Sequence, residues 1–162
     1  MAYLLDANIF IQAKNSYYGF SFCPAFWEWL IVQNSAHSVF SVSQVGIEIK
    51  RGEDELSEWS SNLGKGFFLV PDVEVIERLS ELSLWATKQD FKESAVAEFF
   101  KSADYYLIAH ALAHNDIVVT HEVGSNSKKR IKIPTVCQEL NVQFLNPFEM
   151  LRREHAEFVL KH

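Results

Sequence analysis

The sequence has few of the residues that cross-link, stiffen or break a chain. It contains two cysteines, four prolines and six glycines among 162 residues. Cys23 and Cys137 form no CxxC or other metal-type spacing, which predicts reduced thiols in a cytoplasmic protein. The shortage of proline and glycine excludes collagen-like and linker-like chains. No basic region precedes the first apolar run, and Asp6 interrupts that run early, so neither a signal peptide nor a membrane span is expected.

Positive charge is also scarce in this chain. Fifteen lysines and arginines face 21 acidic residues, which leaves a formal net charge of −6. Proteins that coat nucleic acids normally contact phosphates with Lys and Arg, so this balance argues against passive coating. It does not exclude an enzyme whose acids hold metal ions at one point, because the ions supply positive charge. The positions of the acids therefore matter more than their sum.

The pattern of apolar residues predicts one packed α/β domain spanning residues 1–162. Apolar residues make up 48% of the chain, and no internal repeat or long linker is visible. Short β-rich runs alternate with helical stretches, which is typical of a doubly wound fold with a central five-stranded, mainly parallel sheet flanked by helices. The predicted strands are 3–5, 38–42, 67–70, 117–119 and 142–145. The predicted helices are 25–33, 43–51, 53–62, 93–100, 102–114 and one beginning at Asn146. A further helix is predicted after its cap at Pro71 and Asp72, and its apolar stripe is Ile76, Leu79, Leu82 and Ala86.

Two acids follow predicted strands directly. Asp6 ends the first strand, and Glu122 comes shortly after the fourth, so both are expected at the carboxyl edge of the sheet, where ligands bind in such folds. Asn8 shares the loop of Asp6, and Thr120 precedes Glu122; either side chain suits a ligand water or a phosphate oxygen. Each also has a structural interpretation, because Asp6 and Asn8 suit turns and Thr120 suits a backbone hydrogen bond.

Two further acids lie on predicted helices. Glu48 comes three residues after Val45, which places it on or beside the buried stripe of its helix. Asp104 shares a face with Leu107, Ile108 and Ala111, and an acid on an apolar face needs a partner, for which a metal ion is a simple explanation. The alternatives are a boundary glutamate that reaches water and a first-turn aspartate favoured by the helix dipole.

Together, Asp6, Glu48, Asp104 and Glu122 come from four elements and are expected at one edge of the sheet. Oxygen ligands without cysteine select hard ions, here Mg²⁺ or Mn²⁺. Such sites activate water and stabilise the charge that develops in phosphoryl displacement. The convergence predicts a metal-dependent hydrolase of phosphate esters.

The motifs that carry these acids resemble those of the PIN-domain (VapC-like) ribonuclease superfamily. The segments are YLLDANIFI, SVSQVGIEIKRG, SADYYLIAHAL and IVVTHE, in that order along the chain. The likeness is greatest to an uncharacterised bacterial subfamily with the VTHE ending. It implies that Asp6, Glu48 and Asp104 bind Mg²⁺ or Mn²⁺, that Glu122 stands where aspartate is commoner, and that the protein cleaves single-stranded RNA. It also implies a toxin neutralised by a protein antitoxin.

Other clusters have competing interpretations. His110 and His114 have the spacing of two zinc ligands on a helix, but the glutamate of a zincin is absent. The bases Lys128, Lys129, Arg130 and Lys132 suit either an RNA backbone or a solvated edge segment. The aromatic segment 17–22, with the aromatic residues of 26–29, suits packing, base stacking, a homodimer contact or an antitoxin surface. His121 suits a substrate contact or an exposed loop.

Two rival functions remain open. An aspartyl-phosphate phosphatase would begin from Asp6 and needs a second aspartate two residues later, where this chain has Asn8. A PIN-like module that binds nucleic acid or protein without catalysis is the other rival, and the acidic surface keeps it open.

Overall fold

The computed structural model describes residues 1–161 and contains a five-stranded parallel sheet. The strands are β1 (Tyr3–Leu5), β2 (Val39–Val42), β3 (Phe68–Leu69), β4 (Ile117–Val119) and β5 (Phe144–Leu145). Their order is β3-β2-β1-β4-β5, and each neighbouring pair is parallel. The predicted fold class is therefore confirmed. The expected domain span runs to residue 162, which lies outside the described residues.

Helices occupy most of the remaining chain. They are α1 (Ala7–Gln12), a π-helical segment (Ala13–Tyr17), α2 (Pro24–Ser35), α3 (Ser43–Lys50), α4 (Glu55–Ser61), α5 (Val73–Lys88), α6 (Glu93–Lys101), α7 (Ala103–His114), α8 (Ile133–Glu139) and α9 (Pro147–Arg153). The sequence did not predict α1, the π-helical segment or α8. These elements are five to seven residues long, so their helicity depends on packing rather than on intrinsic propensity. None of the helices in residues 1–161 is both long and apolar enough to cross a lipid bilayer.

The order of the strands places a reversal of direction between β1 and β4. The chain runs from β1 outward to β2 and β3, then crosses back to β4 and ends the sheet at β5. In doubly wound sheets, ligands bind outside the carboxyl ends of the strands at such a switch point. Leu5 is paired with Val119, and the Asp6 amide donates to the Val119 carbonyl at 3.0 Å. Asp6 and Thr120 therefore lie side by side at the switch point.

The two strands at the switch point are buried on both faces. Leu4, Leu5, Val118 and Val119 have no exposed surface. Uninterrupted apolar runs are expected of parallel strands covered by helices on each side. The core thus holds the ends of β1 and β4 rigidly.

The buried stripe of α5 differs by one residue from the prediction. Leu82 and Ala86 are buried as expected, but Ile76 is 55% exposed and Val75 is buried in its place. The true stripe runs through Val75, Leu79, Leu82 and Ala86, a spacing of four, three and four residues that follows the helical repeat. This face packs against α7.

Side-chain caps fix the beginnings of several helices. Asp72 accepts the Val75 amide at 2.9 Å at the start of α5, and Asn146 accepts the Glu149 amide at 2.9 Å at the start of α9, as the sequence predicted. Asp72 also contacts His114 at the end of α7, with 2.8 Å between Oδ2 and Nε2. Asp72 therefore ties the start of α5 to the end of its packing partner.

We expect Asp72→Ala to lower the free energy of unfolding by about 0.5–2 kcal/mol, the usual cost of losing an N-cap. Asp72→Ser keeps a capping oxygen but not the reach to His114, so it should retain most of the stability. Urea denaturation of the parent and both variants measures the difference. Equal losses in the two variants would mean that the contact with His114, and not the cap, carries the stabilisation.

Candidate active site

A cleft of about 430 Å³ opens where β1 and β4 end, and it contains all four predicted acids. Its lining residues are Asp6, Ala7, Asn8, Gln44, Ile47, Glu48, Arg51, Lys101, Ser102, Ala103, Asp104, Glu122 and Arg130. The acids come from the end of β1, from α3, from the first turn of α7 and from the segment after β4. We call this cavity the acidic cleft.

Asp6 is the most deeply buried acid of the cleft. It is 3% exposed, and the Thr120 hydroxyl donates to its Oδ2 at 2.9 Å. Burial raises the pKa of Asp6 to about 6, with a further contribution from the negative charge of Glu122 and a smaller one from Glu48. The hydrogen bonds from Thr120 and from the Ala7 amide act in the opposite direction. Asp6 is thus held in a fixed position with its charge only partly compensated.

Asp104 is the most strongly perturbed acid. It lies in the first turn of α7, and Leu107 and Ile108 on the same face are fully buried, as the sequence predicted. Its pKa is raised to about 8, mainly by burial and in addition by the negative charges of Asp6 and Glu122, while Arg130 acts in the opposite direction. A carboxyl group with these neighbours favours a bound cation or proton.

Glu48 occupies the open side of the cleft. Its helix buries Val45, Gly46 and Ile49, whereas Glu48 itself is exposed. Glu48 therefore lies beside the buried stripe and not on it, as a boundary glutamate whose carboxylate lines the cleft.

Glu122 is engaged with the protein through both carboxylate oxygens. Its Oε2 accepts the Ile133 amide at 2.8 Å, at the start of α8, and its Oε1 lies 3.3 Å from the Arg130 guanidinium. The Glu122 amide in turn donates to the Thr120 hydroxyl at 3.0 Å. Thr120, 2% exposed, therefore joins Asp6 to Glu122 and has little surface left for a ligand.

The four acids line one cleft, but their side chains do not form a compact cluster. Within residues 1–161, no three His, Cys, Asp or Glu side chains lie close enough to form a ready metal site. The donor set nevertheless suits a hard cation, because four carboxyl groups line one cleft and the pKa values of two of them, Asp6 and Asp104, are raised.

Three cations share the acidic cleft with the acids. Arg130 belongs to the predicted basic stretch, but Arg51 and Lys101 were missed by the sequence interpretation. Arg51 has a recognisable spacing, because it comes three residues after Glu48 at the end of α3, and helical spacing of this kind places a base beside an acid. Lys101 ends α6, and the extended backbone of Ser102 separates it from Asp104 in α7, so no helical spacing points to it.

The other members of the basic stretch face elsewhere. Lys128 lies over the Phe91 ring, with 5.0 Å between Nζ and the centroid, and its carbonyl accepts the Lys92 amide. Lys129 is exposed outside the cleft, and Lys132 precedes α8. Only Arg130 of the four lines the acidic cleft.

The two helical histidines do not form a pair. His110 is 2% exposed, burial lowers its pKa to about 4, and its Nε2 has no hydrogen-bond partner among the described residues. His114 contacts Asp72 instead. This arrangement provides no zinc site.

The aromatic segment is divided between the core and the surface. Tyr18 stacks on Phe26 with 4.5 Å between ring centroids, and Phe20 stacks on Trp27 at 4.0 Å. Tyr17, in contrast, is 48% exposed. Phe22 is 68% exposed, so the packing interpretation holds for Tyr18 and Phe20 but not for Tyr17 and Phe22.

Comparison with known proteins places the chain in a family. Residues 3–158 match the family described as Domain of unknown function (DUF4411). The chain belongs to the DUF4411 family. No curated protein is significantly similar to this DUF4411 chain in sequence.

A solved structure shares the fold. A chain in the 2.2 Å resolution structure of VapBC-1 from nontypeable Haemophilus influenzae superposes on the DUF4411 chain with a TM-score of 0.54 at 14% sequence identity. The superposition covers 90% of this chain and 98% of that chain. The likeness extends over nearly the whole of both chains and confirms a PIN-like fold.

The electrostatics of the cleft predict the behaviour of Asp104→Asn. The pKa of Asp104 is about 8 in the folded protein and near 3.8 when unfolded, so between these values the native state binds more protons. The free energy of unfolding therefore falls as the pH rises through this window. Asparagine removes this dependence, so in chelator the variant should be at least as stable as the parent, and its advantage should grow from about pH 5 to about pH 8.

The matched control is Glu93→Gln, which alters an exposed first-turn acid of α6 outside the cleft. Losing only a dipole interaction there should cost about 0.3–1 kcal/mol. Urea denaturation across the pH range measures both variants. If Asp104→Asn lost stability like Glu93→Gln, with no growth of an advantage at high pH, the electrostatic account of Asp104 would be wrong.

Proposed function

We propose that the protein is a Mg²⁺- or Mn²⁺-dependent endoribonuclease that cleaves single-stranded RNA. The observation that carries this proposal is the pair of carboxyl groups of buried Asp6 and half-buried Asp104, whose pKa values are raised in a cleft at the switch point of the sheet. Perturbed carboxyl groups in a cleft are characteristic of functional sites. The motif resemblance to PIN-domain ribonucleases supports the same activity.

Asp6, Glu48, Asp104 and Glu122 are the residues that would hold the ion. When bound, Mg²⁺ or Mn²⁺ supplies Lewis-acid stabilisation of negative charge on a phosphate and favours ionised water. Asp6 is oriented by the Thr120 hydroxyl, and the backbone of Asp104 is fixed in the first turn of α7, so these two acids form the more rigid part of the site. Exposed Glu48 supplies the adaptable part.

Glu122 has a second task in this proposal. Its contact with Arg130 holds the guanidinium at the cleft, where it can bind a phosphate oxygen. Because both its oxygens already accept protein hydrogen-bond donors, Glu122 acts on an ion most readily through water. Asn8, exposed at the same cleft, is placed to contact water or substrate.

A toxin paired with a protein antitoxin is the biological role we favour. The structural likeness to a chain of VapBC-1 and the resemblance to PIN-domain ribonucleases both support it. The antitoxin would be a separate protein partner, and a homodimer is a further expectation.

A binding module without catalysis is the second candidate. The observations that favour it are the separation of the acids within residues 1–161 and the protein contacts of Glu122. Such a module would bind RNA without cleaving it, so the same assay distinguishes the two functions.

Purified protein should cleave single-stranded RNA in Mg²⁺ or Mn²⁺ and lose this activity in chelator, because each proposed ligand is an oxygen. Zn²⁺ should substitute poorly. Gel analysis of a labelled RNA measures cleavage, and Asp6→Asn should abolish it while Asp116→Asn, outside the cleft, should not. Cleavage that persists in chelator or in Asp6→Asn would contradict the proposal, and binding without cleavage would favour the second candidate.

The basic residues should differ in their contributions to RNA binding. Arg130→Gln should weaken binding and reduce the slope of log affinity against log salt by about one, because it removes one phosphate contact. Lys129→Gln, an equal loss of charge outside the cleft, is the control and should change the slope less. Fluorescence anisotropy at several salt concentrations measures both. Identical slopes in the two variants would show that Arg130 makes no phosphate contact beyond the general effect of one positive charge.

A further inference from the structure

A second depression adjoins the acidic cleft and contains an exposed aromatic pair. It has a volume of about 480 Å³ and shares Asn8, Glu122 and Arg130 with the acidic cleft. Its own lining residues are Gln12, Tyr17, His121 and Lys132, and we call it the aromatic pocket. A molecule lying in one cavity can therefore extend directly into the other.

The aromatic pair is assembled from distant parts of the chain. Tyr17 and His121 are stacked, with 5.6 Å between ring centroids and 22° between planes. Phe148 supports them from below, edge-on to Tyr17 at 5.1 Å and to His121 at 6.0 Å. Two rings thus brace Tyr17 while half of its surface is exposed. A braced, exposed ring loses little conformational freedom when a flat ligand binds.

A π-helical turn accounts for the outward position of Tyr17. The Tyr18 amide donates to the Ala13 carbonyl at 2.8 Å, a bond that spans five residues. Tyr18 enters the core, where it stacks on Phe26, and the neighbouring Tyr17 is left at the surface. Single π-helical turns occur frequently at functional sites. The core does not require the Tyr17 ring, so its exposed surface is available to a ligand.

The other groups of the aromatic pocket suit a nucleotide. Asn8 and Gln12 are exposed amides that can both donate to and accept from the edge of a base. Arg130 and Lys132 provide positive charge for phosphates. An aromatic platform beside cations is the combination that binds single strands.

We propose that the aromatic pocket binds one base of a single-stranded nucleic acid by stacking on Tyr17, next to the phosphate at the acidic cleft. This inference rests on the proposed function in one respect, because it takes the acidic cleft as the place of the scissile phosphate. Stacking tolerates every base, so the pocket fixes the position of the strand more than its sequence.

The test is the affinity of the full chain for a short, labelled single-stranded RNA in Ca²⁺, measured by fluorescence anisotropy. Tyr17→Leu removes the aromatic ring but keeps an apolar side chain against Phe148, and it should weaken binding roughly 5- to 150-fold, the effect of one base stack. Tyr17→Phe keeps the ring and should bind nearly as the parent does. Phe22→Leu is the matched control, since Phe22 is an exposed aromatic residue outside the pocket. Thermal melts establish that each variant is folded.

A series of RNAs with a single abasic site separates stacking from other effects. The parent should lose affinity when the missing base is the one that occupies the pocket, and Tyr17→Leu should be insensitive to that change. Three results would overturn the inference. Tyr17→Leu could bind as tightly as the parent, Tyr17→Leu could lose as much affinity as the parent at the same abasic position, or no oligonucleotide could bind at all.

The same measurements distinguish failure of this inference from failure of the proposed function. Loss of affinity in Tyr17→Leu without any cleavage by the parent would leave the stacking site standing and overturn the nuclease. Cleavage with parent-like affinity in Tyr17→Leu would do the reverse. A single-stranded DNA of the same sequence tests whether the protein distinguishes deoxyribose from ribose. If the DNA binds as tightly as the RNA and is equally sensitive to Tyr17→Leu, the stacking site is supported, but it no longer favours RNA over DNA as the substrate.

Discussion

The side-by-side pairing of β1 with β4 is the constraint on which the site depends. It places Asp6 against Val119 through a backbone hydrogen bond and brings the Thr120 hydroxyl to the Asp6 carboxylate. A carboxylate 3% exposed is costly unless it is neutralised or hydrogen-bonded. The hydrogen bond from the Thr120 hydroxyl offsets that cost only in part, and the pKa of Asp6 is raised as a result. A positive charge near Asp6 would therefore stabilise its ionised form.

Charge is distributed very differently in the cleft and in the whole chain. The net charge of −6 would repel a polyanion at long range, yet Arg51, Lys101 and Arg130 lie around the same cleft as the acids. The positive charge that is scarce in the chain as a whole is therefore present locally, beside the acids of the cleft.

The sequence predicted what depends on local periodicity and failed where contacts are distant. The strands, Asp6 at the end of β1 and Asp104 on the apolar face of α7 follow from short patterns of apolar residues. Helix α8 does not, because its first amide is satisfied by Glu122, eleven residues earlier. The stack of Tyr17 on His121 joins residues 104 positions apart, and no spacing rule connects them. Ile76 illustrates a smaller error: the helical period of α5 was predicted correctly, but Val75 and not Ile76 lies on the buried face.

The length of Glu122 is explained by what its carboxylate reaches. In the PIN-domain pattern that the chain resembles, aspartate is commoner at this position, and a side chain one methylene shorter ends nearer the strand. Here the glutamate spans from the turn held by Thr120 to the start of α8, and the same carboxylate contacts Arg130. The extra methylene therefore converts an acid of the cleft into a link between β4, α8 and the nearest cation. That link fixes the boundary between the acidic cleft and the aromatic pocket, because Glu122 and Arg130 line both.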